Sequence, residues 1–313
     1  MTRAFLFPGQ GSQTVGMGKA LAEAFLPARE VFQEVDDALS QKLSRLMWEG
    51  PDGDLTLTEN AQPAIMAVSV AIIRVLQKEA GLDLPRHVRL VAGHSLGEYS
   101  ALAAAGAFTL ADTARLLKTR GQAMQSAVPV GEGAMIALIG ADIDAAEAVA
   151  KDSAGDDVCV VANDNAPGQV VLSGAKAAMD RVPEVAKAKG VKRAIPLSVS
   201  APFHCSLMQP AADVMADALA KVCIRPLSVP VLSNVTAQEA NEPETVRGLL
   251  VEQVTSRVRW RESMLALKGL GVDTTVEMGG NKVLMGMMRR IDKDIQAVAL
   301  DTPVEIEAFA KGL

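Results

Sequence analysis

Ser95 lies in the run Ala92-Gly93-His94-Ser95-Leu96-Gly97-Glu98-Tyr99-Ser100, between an apolar segment at 88–91 and a helix-forming one at 101–105. The pattern G-x-S-x-G at a strand-to-helix turn lifts a serine hydroxyl to the edge of a sheet, where it can accept an acyl group. Enzymes with this turn pass the acyl group either to water or to a second molecule, and the turn alone does not separate the two. A serine hydroxyl is a weak nucleophile until a base takes its proton, so a histidine is needed. The chain has three. His94 adjoins the serine in the turn, where its ring points elsewhere and reads as a hydrogen-bonded packing residue. His87, in Leu84-Pro85-Arg86-His87, reads as part of an exposed loop. His204, in Ser200-Ala201-Pro202-Phe203-His204-Cys205, remains as the general base for Ser95.

The place of His204 in the chain carries information. In α/β-hydrolases the base comes late, after a motif-supported acid. Here a long segment with strands expected near 229–232 and 274–276 follows the histidine, and no acid motif is visible. An ordinary esterase fits this order poorly. A second loop, Phe7-Pro8-Gly9-Gln10-Gly11-Ser12-Gln13, lacks the third glycine of a dinucleotide fingerprint, and Gly18-Lys19-Ala20 lacks the spacing of a phosphate loop. Glycines at the carboxyl end of a strand instead let backbone N–H groups approach a ligand closely, as an oxyanion hole requires.

These residues need a scaffold. A short buried strand at 4–7 precedes the glycine loop; helices are expected at 20–25 and over the apolar run 62–79. A strand at 88–92 feeds the serine turn, Gly106 closes its helix, and Thr109 starts another running to about 124. Alternating strands and helices predict an α/β fold, a large α/β-hydrolase-like domain with a mostly parallel sheet. The stretch 128–197 has a different rhythm: strand 134–139, helix 144–151, strand 158–162, a turn at 165–168, strand 169–173, helix 175–188 and strand 192–197. That β-α-β-β-α-β order predicts a small ferredoxin-like domain (128–197) inserted into the large one (1–127 and 198–313), with a cleft between them.

Composition bounds the partners. A net charge of −6 and 3% aromatic residues argue against nucleic acid, which needs a basic face or stacking rings. The N-terminal apolar run is too short for a signal peptide, and no stretch is expected to reach the length of a membrane span, which points to a cytoplasmic protein. Cys159, Cys205 and Cys223 are widely spaced and free of C-x-x-C patterns, so each reads as a small buried residue, with neither disulfide nor metal site.

Five motifs in order, F-P-G-Q-G-S-Q at 7–13, G-H-S-L-G-E-Y at 93–99, R-G-Q-A-M-Q at 120–125, S-A-P-F-H at 200–204 and V-E-Q-V at 251–254, resemble the malonyl-CoA:acyl carrier protein transacylase family. The resemblance covers nearly the whole chain. It implies that Ser95 attacks malonyl-CoA with His204 as base, that the backbone N–H groups of Gln10 and Leu96 hold the oxyanion, and that a carbonyl oxygen at Gln253 orients His204. Arg120 would bind the malonyl carboxylate; from sequence alone it is one more solvated helix charge. Met124 and Phe203 would border the acyl pocket, and Asn163, equally readable as a turn residue, would lie near the substrate. The acceptor would be the phosphopantetheine thiol of an acidic, transiently bound acyl carrier protein, with no resident cofactor or metal. Arg289 and Arg290 are candidates for its docking. The run Glu277-Met278-Gly279-Gly280-Asn281-Lys282 departs from the family's E-x-G-P-G-K, which puts the rigidity of that loop in question. The competing readings are a serine thioesterase or esterase, a polyketide-type acyltransferase with another acyl-CoA, and an acyl-binding protein without turnover.

Overall fold

The computed structural model describes residues 1–199 and 201–313; Ser200, the first residue of the S-A-P-F-H motif, lies outside the described residues. The strands are β1 (Arg3–Phe7), β2 (Val88–Gly93), β3 (Gly133–Ile139), β4 (Cys159–Ala166), β5 (Gln169–Ala175), β6 (Arg193–Pro196), β7 (Val231–Leu232), β8 (Glu239–Ala240), β9 (Thr274–Met278) and β10 (Gln296–Leu300). They form two sheets. The larger has the order β10-β9-β1-β2-β7-β8 and is parallel except for the terminal hairpin strand β8. Its central strands are buried on both faces and read as apolar runs, as a sheet covered by helices requires. The smaller has the order β4-β5-β3-β6 and is antiparallel throughout, with the helices Ile143–Ala154 and Lys176–Ala188 packed on it over a separate apolar core. The fold is α/β with a second, ferredoxin-like unit.

Several local expectations are corrected. The helix Thr58–Glu79 has 22 residues and is long and apolar enough to cross a membrane, but 89% of its most apolar window is buried inside the protein, so it serves as the central core helix. β4 runs to Ala166, beyond the expected end at 162, and the turn shrinks to Pro167-Gly168. Two register shifts in β4 absorb the extra residues, and Asn163 pairs with Val258 of the large unit; the asparagines there are strand residues. His87 ends a short helix, Leu84–His87, in place of a loop, and Cys223 is exposed.

The two units are tied beside the cleft. Val258 N–H donates to the Ala162 carbonyl at 2.8 Å, and Asp164 N–H donates to the Val258 carbonyl at 3.0 Å. The buried Asp164 carboxylate accepts a fork of hydrogen bonds from Arg261 at 2.8–3.0 Å. Burial of that carboxylate is tolerable because the guanidinium matches both its oxygens.

Candidate active site

The site forms where β1 and β2 end, the position at which open parallel sheets bind ligands. β2 passes through Gly93 and His94 into Ser95, and the elbow helix Gly97–Ala104 begins two residues later. The two glycines of G-x-S-x-G follow from backbone contact. A Cβ on Gly93 would lie 1.9 Å from the Gly97 carbonyl carbon and oxygen, and one on Gly97 would lie 2.2 Å from the Phe7 carbonyl oxygen. Only glycines let the strand, the turn and the helix pack this closely. Ser95 itself is held at φ +53°, an uncommon conformation for a residue with a side chain, and this aims its hydroxyl into the cleft.

Ser95 Oγ lies 2.8 Å from His204 Nε2, and His204 Nδ1 lies 2.9 Å from the backbone carbonyl of Gln253. A carbonyl only accepts, so Nδ1 carries the proton and Nε2 is the free base facing the hydroxyl. His204 is 4% exposed; burial, helped by the positive charge of Arg120, pushes its pKa down to about 3. The ring is therefore neutral at physiological pH and ready to accept a proton.

Arg120 overturns the solvated reading: it is 1% exposed. Its helix, Leu110–Ser126, starts where the Thr109 hydroxyl accepts from the Asp112 N–H at 3.0 Å. Gly121 allows that helix to lie against the start of the core helix, since a Cβ there would meet the Glu59 Cα at 2.5 Å. Arg120 Nη1 donates to Gln62 Oε1 at 2.9 Å, while Nη2 donates to Gln253 Oε1 at 2.9 Å and to Ser95 Oγ at 3.1 Å. Its Nε has no hydrogen-bond partner among the described residues. A buried guanidinium beside a nucleophile, without a carboxylate bonded to it, is a costly arrangement unless an anionic ligand completes it.

One cleft of about 480 Å³ is lined by Ser95, His204, Arg120, Gln10, Leu96, Met124, Asn163 and Phe203 together, so the structure gathers residues spread from 10 to 204. Gln253 lies behind them and reaches Ser95, Arg120 and His204 by hydrogen bonds. Leu96 precedes the first turn of the elbow helix and Gln10 follows the end of β1; among the described residues neither peptide N–H donates to a protein acceptor. The other wall comes from the small sheet, through Met135, Ala137 and Val171. His94 accords with its packing role: its Nε2 lies 2.7 Å from Asn165 Oδ1 and its ring tilts against Trp260.

Four contributions escaped the sequence reading. Gln62 reads only as the first residue of an apolar helix. Asn234 carries no motif, yet its Oδ1 accepts from Ser95 N–H at 2.7 Å and its Nδ2 donates to the Gly93 carbonyl at 2.7 Å, bracing the elbow from both sides. The Gln253 side chain adds to the role of its carbonyl, donating to the Ser95 carbonyl at 3.0 Å. Glu98, within the quoted G-H-S-L-G-E-Y, is buried and accepts from Gln253 Nε2 at 2.7 Å; burial pushes its pKa up to about 7. The Gly-Asn departure at 280–281 does not leave the loop untethered. Asn281 Nδ2 donates to the Ser12 carbonyl at 2.9 Å, and the Glu277 carboxylate accepts from the N–H groups of Leu284 and Met285.

The family model for acyl transferase domains matches residues 4–300. The malonyl CoA-acyl carrier protein transacylase of Bacillus subtilis is 44% identical over 305 residues, covering 97% of this chain and 95% of its own length. Among solved structures, the acyl-carrier-protein-S-malonyltransferase of Bartonella henselae superposes with a TM-score of 0.97 at 55% identity, covering 100% of this chain and 99% of its own. A malonyl-transacylase in complex with its type II PKS acyl-carrier protein superposes with a TM-score of 0.96 at 40% identity, over 100% of each chain. A serine–histidine pair in an elbow, a buried arginine and full-length similarity agree: this chain belongs to the acyl transferase family, among the malonyl CoA-acyl carrier protein transacylases.

Proposed function

We propose that the protein transfers a malonyl group from malonyl-CoA to the phosphopantetheine thiol of an acyl carrier protein through a malonyl ester of Ser95. The observation that carries this reading is the buried Arg120, whose Nη2 lies 3.1 Å from the nucleophile. A guanidinium fork binds a carboxylate strongly, and the malonyl group is a small acyl group that ends in one.

The first half-reaction follows from the geometry. His204 Nε2 takes the Ser95 proton as Oγ attacks the thioester carbonyl. The oxyanion develops where the N–H groups of Gln10 and Leu96 can stabilise it, the tetrahedral intermediate collapses, and coenzyme A leaves with the proton returned by His204. In the second half the carrier thiol gives its proton to His204 and attacks the ester, and Ser95 Oγ leaves with that proton returned by His204. Gln253 keeps Nε2 of His204 directed at the reacting oxygen, and Met124, Asn163 and Phe203 wall the acyl group. No metal or resident cofactor is required by any step.

Carrier docking on the helix Val283–Ile291 is part of the same reading. Val283, Leu284 and Met287 line the cleft, Arg289 and Arg290 on that helix are exposed, and Arg290 also donates to Gln169 at the cleft edge. A cationic lip beside an apolar mouth suits an acidic carrier that presents its thiol arm, with electrostatic attraction speeding encounter. The malonyl-transacylase solved with its carrier protein supports a partner of this kind. Such a reaction places the enzyme in the cytoplasm, serving fatty-acid synthesis. The test is product analysis: malonyl-CoA with holo carrier should give malonyl-carrier and free coenzyme A, whereas free malonate as the main product would make the protein a hydrolase.

A further inference from the structure

Glu98 is a buried acid to which the transfer scheme assigns no task. It is 2% exposed, and its Oε2 accepts from Gln253 Nε2 at 2.7 Å and from Asn234 N–H at 3.3 Å. Gln253 contacts Arg120, the Ser95 carbonyl and His204, and Asn234 holds the Ser95 N–H. Glu98 is thus one hydrogen bond away from both residues that fix the nucleophile, and it is linked to Arg120 through a single amide group.

The charges facing it can be counted. The helix Leu110–Ser126 brings Arg120, the cation whose field favours the ionised Glu98. The elbow and its helix bring His94, which burial pushes down and so keeps neutral, and Tyr99, whose phenol burial holds far above its ordinary range and so also keeps neutral. The segment after the small sheet brings His204, neutral because burial pushes it down to about 3. The core helix contributes the uncharged Gln62, and the segments after β7 and after the helix Pro243–Glu252 contribute Asn234 and Gln253. On the neighbouring strands, Arg3 donates to the Gly312 carbonyl and Arg89 pairs with Glu239 at the surface. Above about pH 7 the buried Arg120 cation is faced, at one remove through Gln253, by the buried Glu98 anion. A malonyl carboxylate on Arg120 adds a second anion, and like charges that share one counter-charge out of water hold a proton.

We infer that Glu98 takes up a proton when a malonyl group occupies the site, so that Arg120 answers a single carboxylate and the loaded cleft carries no net buried charge. The inference rests on the proposed malonyl transfer. The step is the Glu98 carboxylate plus one solvent proton giving the carboxylic acid. No bond to substrate forms, Oε2 continues to accept from Gln253, and the proton returns to solvent when the malonyl group leaves on the carrier thiol. Burial has already brought the pKa up to about 7, so a modest further rise is enough at physiological pH. An acetyl group brings no second anion and calls for no proton. Glu98 is in this sense a positioning and charge-balancing residue that acts through Gln253 and Arg120.

The experiment mixes the protein with malonyl-CoA or acetyl-CoA in weakly buffered solution containing a pH indicator, and counts acyl-Ser95 by intact mass in the same samples. Partial ionisation of released coenzyme A is common to both donors, so the reading is the difference between them. At about pH 8 the difference should be a clear fraction of one proton taken up per malonyl-Ser95, and at about pH 6, where Glu98 is already protonated, it should nearly vanish. Glu98→Gln, read per acyl-Ser95 formed whatever its rate, should show no difference at either pH. Full malonylation of the wild type without uptake at about pH 8 would overturn the inference. Unchanged uptake in Glu98→Gln, or uptake that persists at about pH 6, would overturn it too, by assigning the proton to His204. Should Glu98→Gln fail to fold, the wild-type pair of pH values still decides. Absence of any malonyl mass on the wild type is a separate result, and it removes the transfer reading itself.

Discussion

The two walls of the cleft are built in different ways. On the elbow side, Gly93 and Gly97 leave no room for a single added carbon, and Ser95, His204, Arg120, Gln253 and Glu98 are joined by short buried hydrogen bonds. On the small-sheet side, the wall mixes apolar Met135, Ala137 and Val171 with polar Asn163, Asn165 and Gln169, and it is attached through backbone pairings of Val258, the Arg261–Asp164 fork, the His94–Asn165 bond and the Arg257–Glu147 pair. The chemistry resides where the backbone is most tightly determined, while part of the pocket's wall comes from a unit whose helix-covered face has a core of its own. A rigid elbow holds the reacting atoms to the tolerance that acyl transfer needs, while an attached wall can be varied without moving them.

That contrast can be broken at either wall. The largest effect is expected from Gly97→Ala, whose methyl group would press on the Phe7 carbonyl; neither partner is a flexible side chain. Urea unfolding should show a loss of about 4 kcal/mol or more, with Ser95 acylation lost even in the folded fraction. Normal stability in this variant would mean that the elbow is not the rigid part. Next, Arg261→Met leaves the buried Asp164 carboxylate without its partner, a cost of about 3 kcal/mol. Protease cleavage should increase in the small unit while residual folded protein still accepts a malonyl group on Ser95. Loss of acylation in step with the loss of the fork would show that the small sheet holds the chemistry too.

Two smaller effects sharpen the contrast. Phe203→Leu enlarges the acyl pocket by little, so methylmalonyl-CoA should gain on malonyl-CoA by about tenfold in kcat/KM, the scale of one methylene in an apolar pocket. An unchanged ratio would take Phe203 out of acyl selection. The pH profile for acetyl-CoA should show no acid limb down to about pH 5. The sign follows from burial: the pKa of His204 is lowered to about 3, so the base stays neutral, whereas an ordinary histidine would cost roughly thirtyfold by that pH. The same shift makes His204 a stabilising influence that is lost as pH falls from about 6.5 toward 3, because the unfolded chain then binds a proton that the buried ring resists.

Much of this was legible in the sequence because it is local. The serine turn, the helix cap at Thr109 and the β-α-β-β-α-β rhythm each depend on neighbours within a few positions, and the backbone shows them close to where the pattern places them. Elimination among three histidines leaves His204 as the base, and its ring lies 2.8 Å from Ser95 Oγ. What the pattern could not give depends on distant segments. Arg120 looks like a surface charge until Gly121 brings its helix onto Glu59. Asn234 and Gln62 meet the site only through the packing of separate helices and strands, and no spacing announces them. β4 outran its apparent end because Val258, far along the chain, offers it a partner.

The central claim is that a buried guanidinium beside Ser95 selects an acyl group ending in a carboxylate. Single-turnover acylation of Ser95 by malonyl-CoA and by acetyl-CoA, followed by intact mass in wild type and Arg120→Ala, tests it most directly. The account predicts that the variant loses about 2–5 kcal/mol in malonyl transfer, with a much smaller loss for acetyl. Equal losses for the two donors, or a wild type that acylates equally from both, would contradict it.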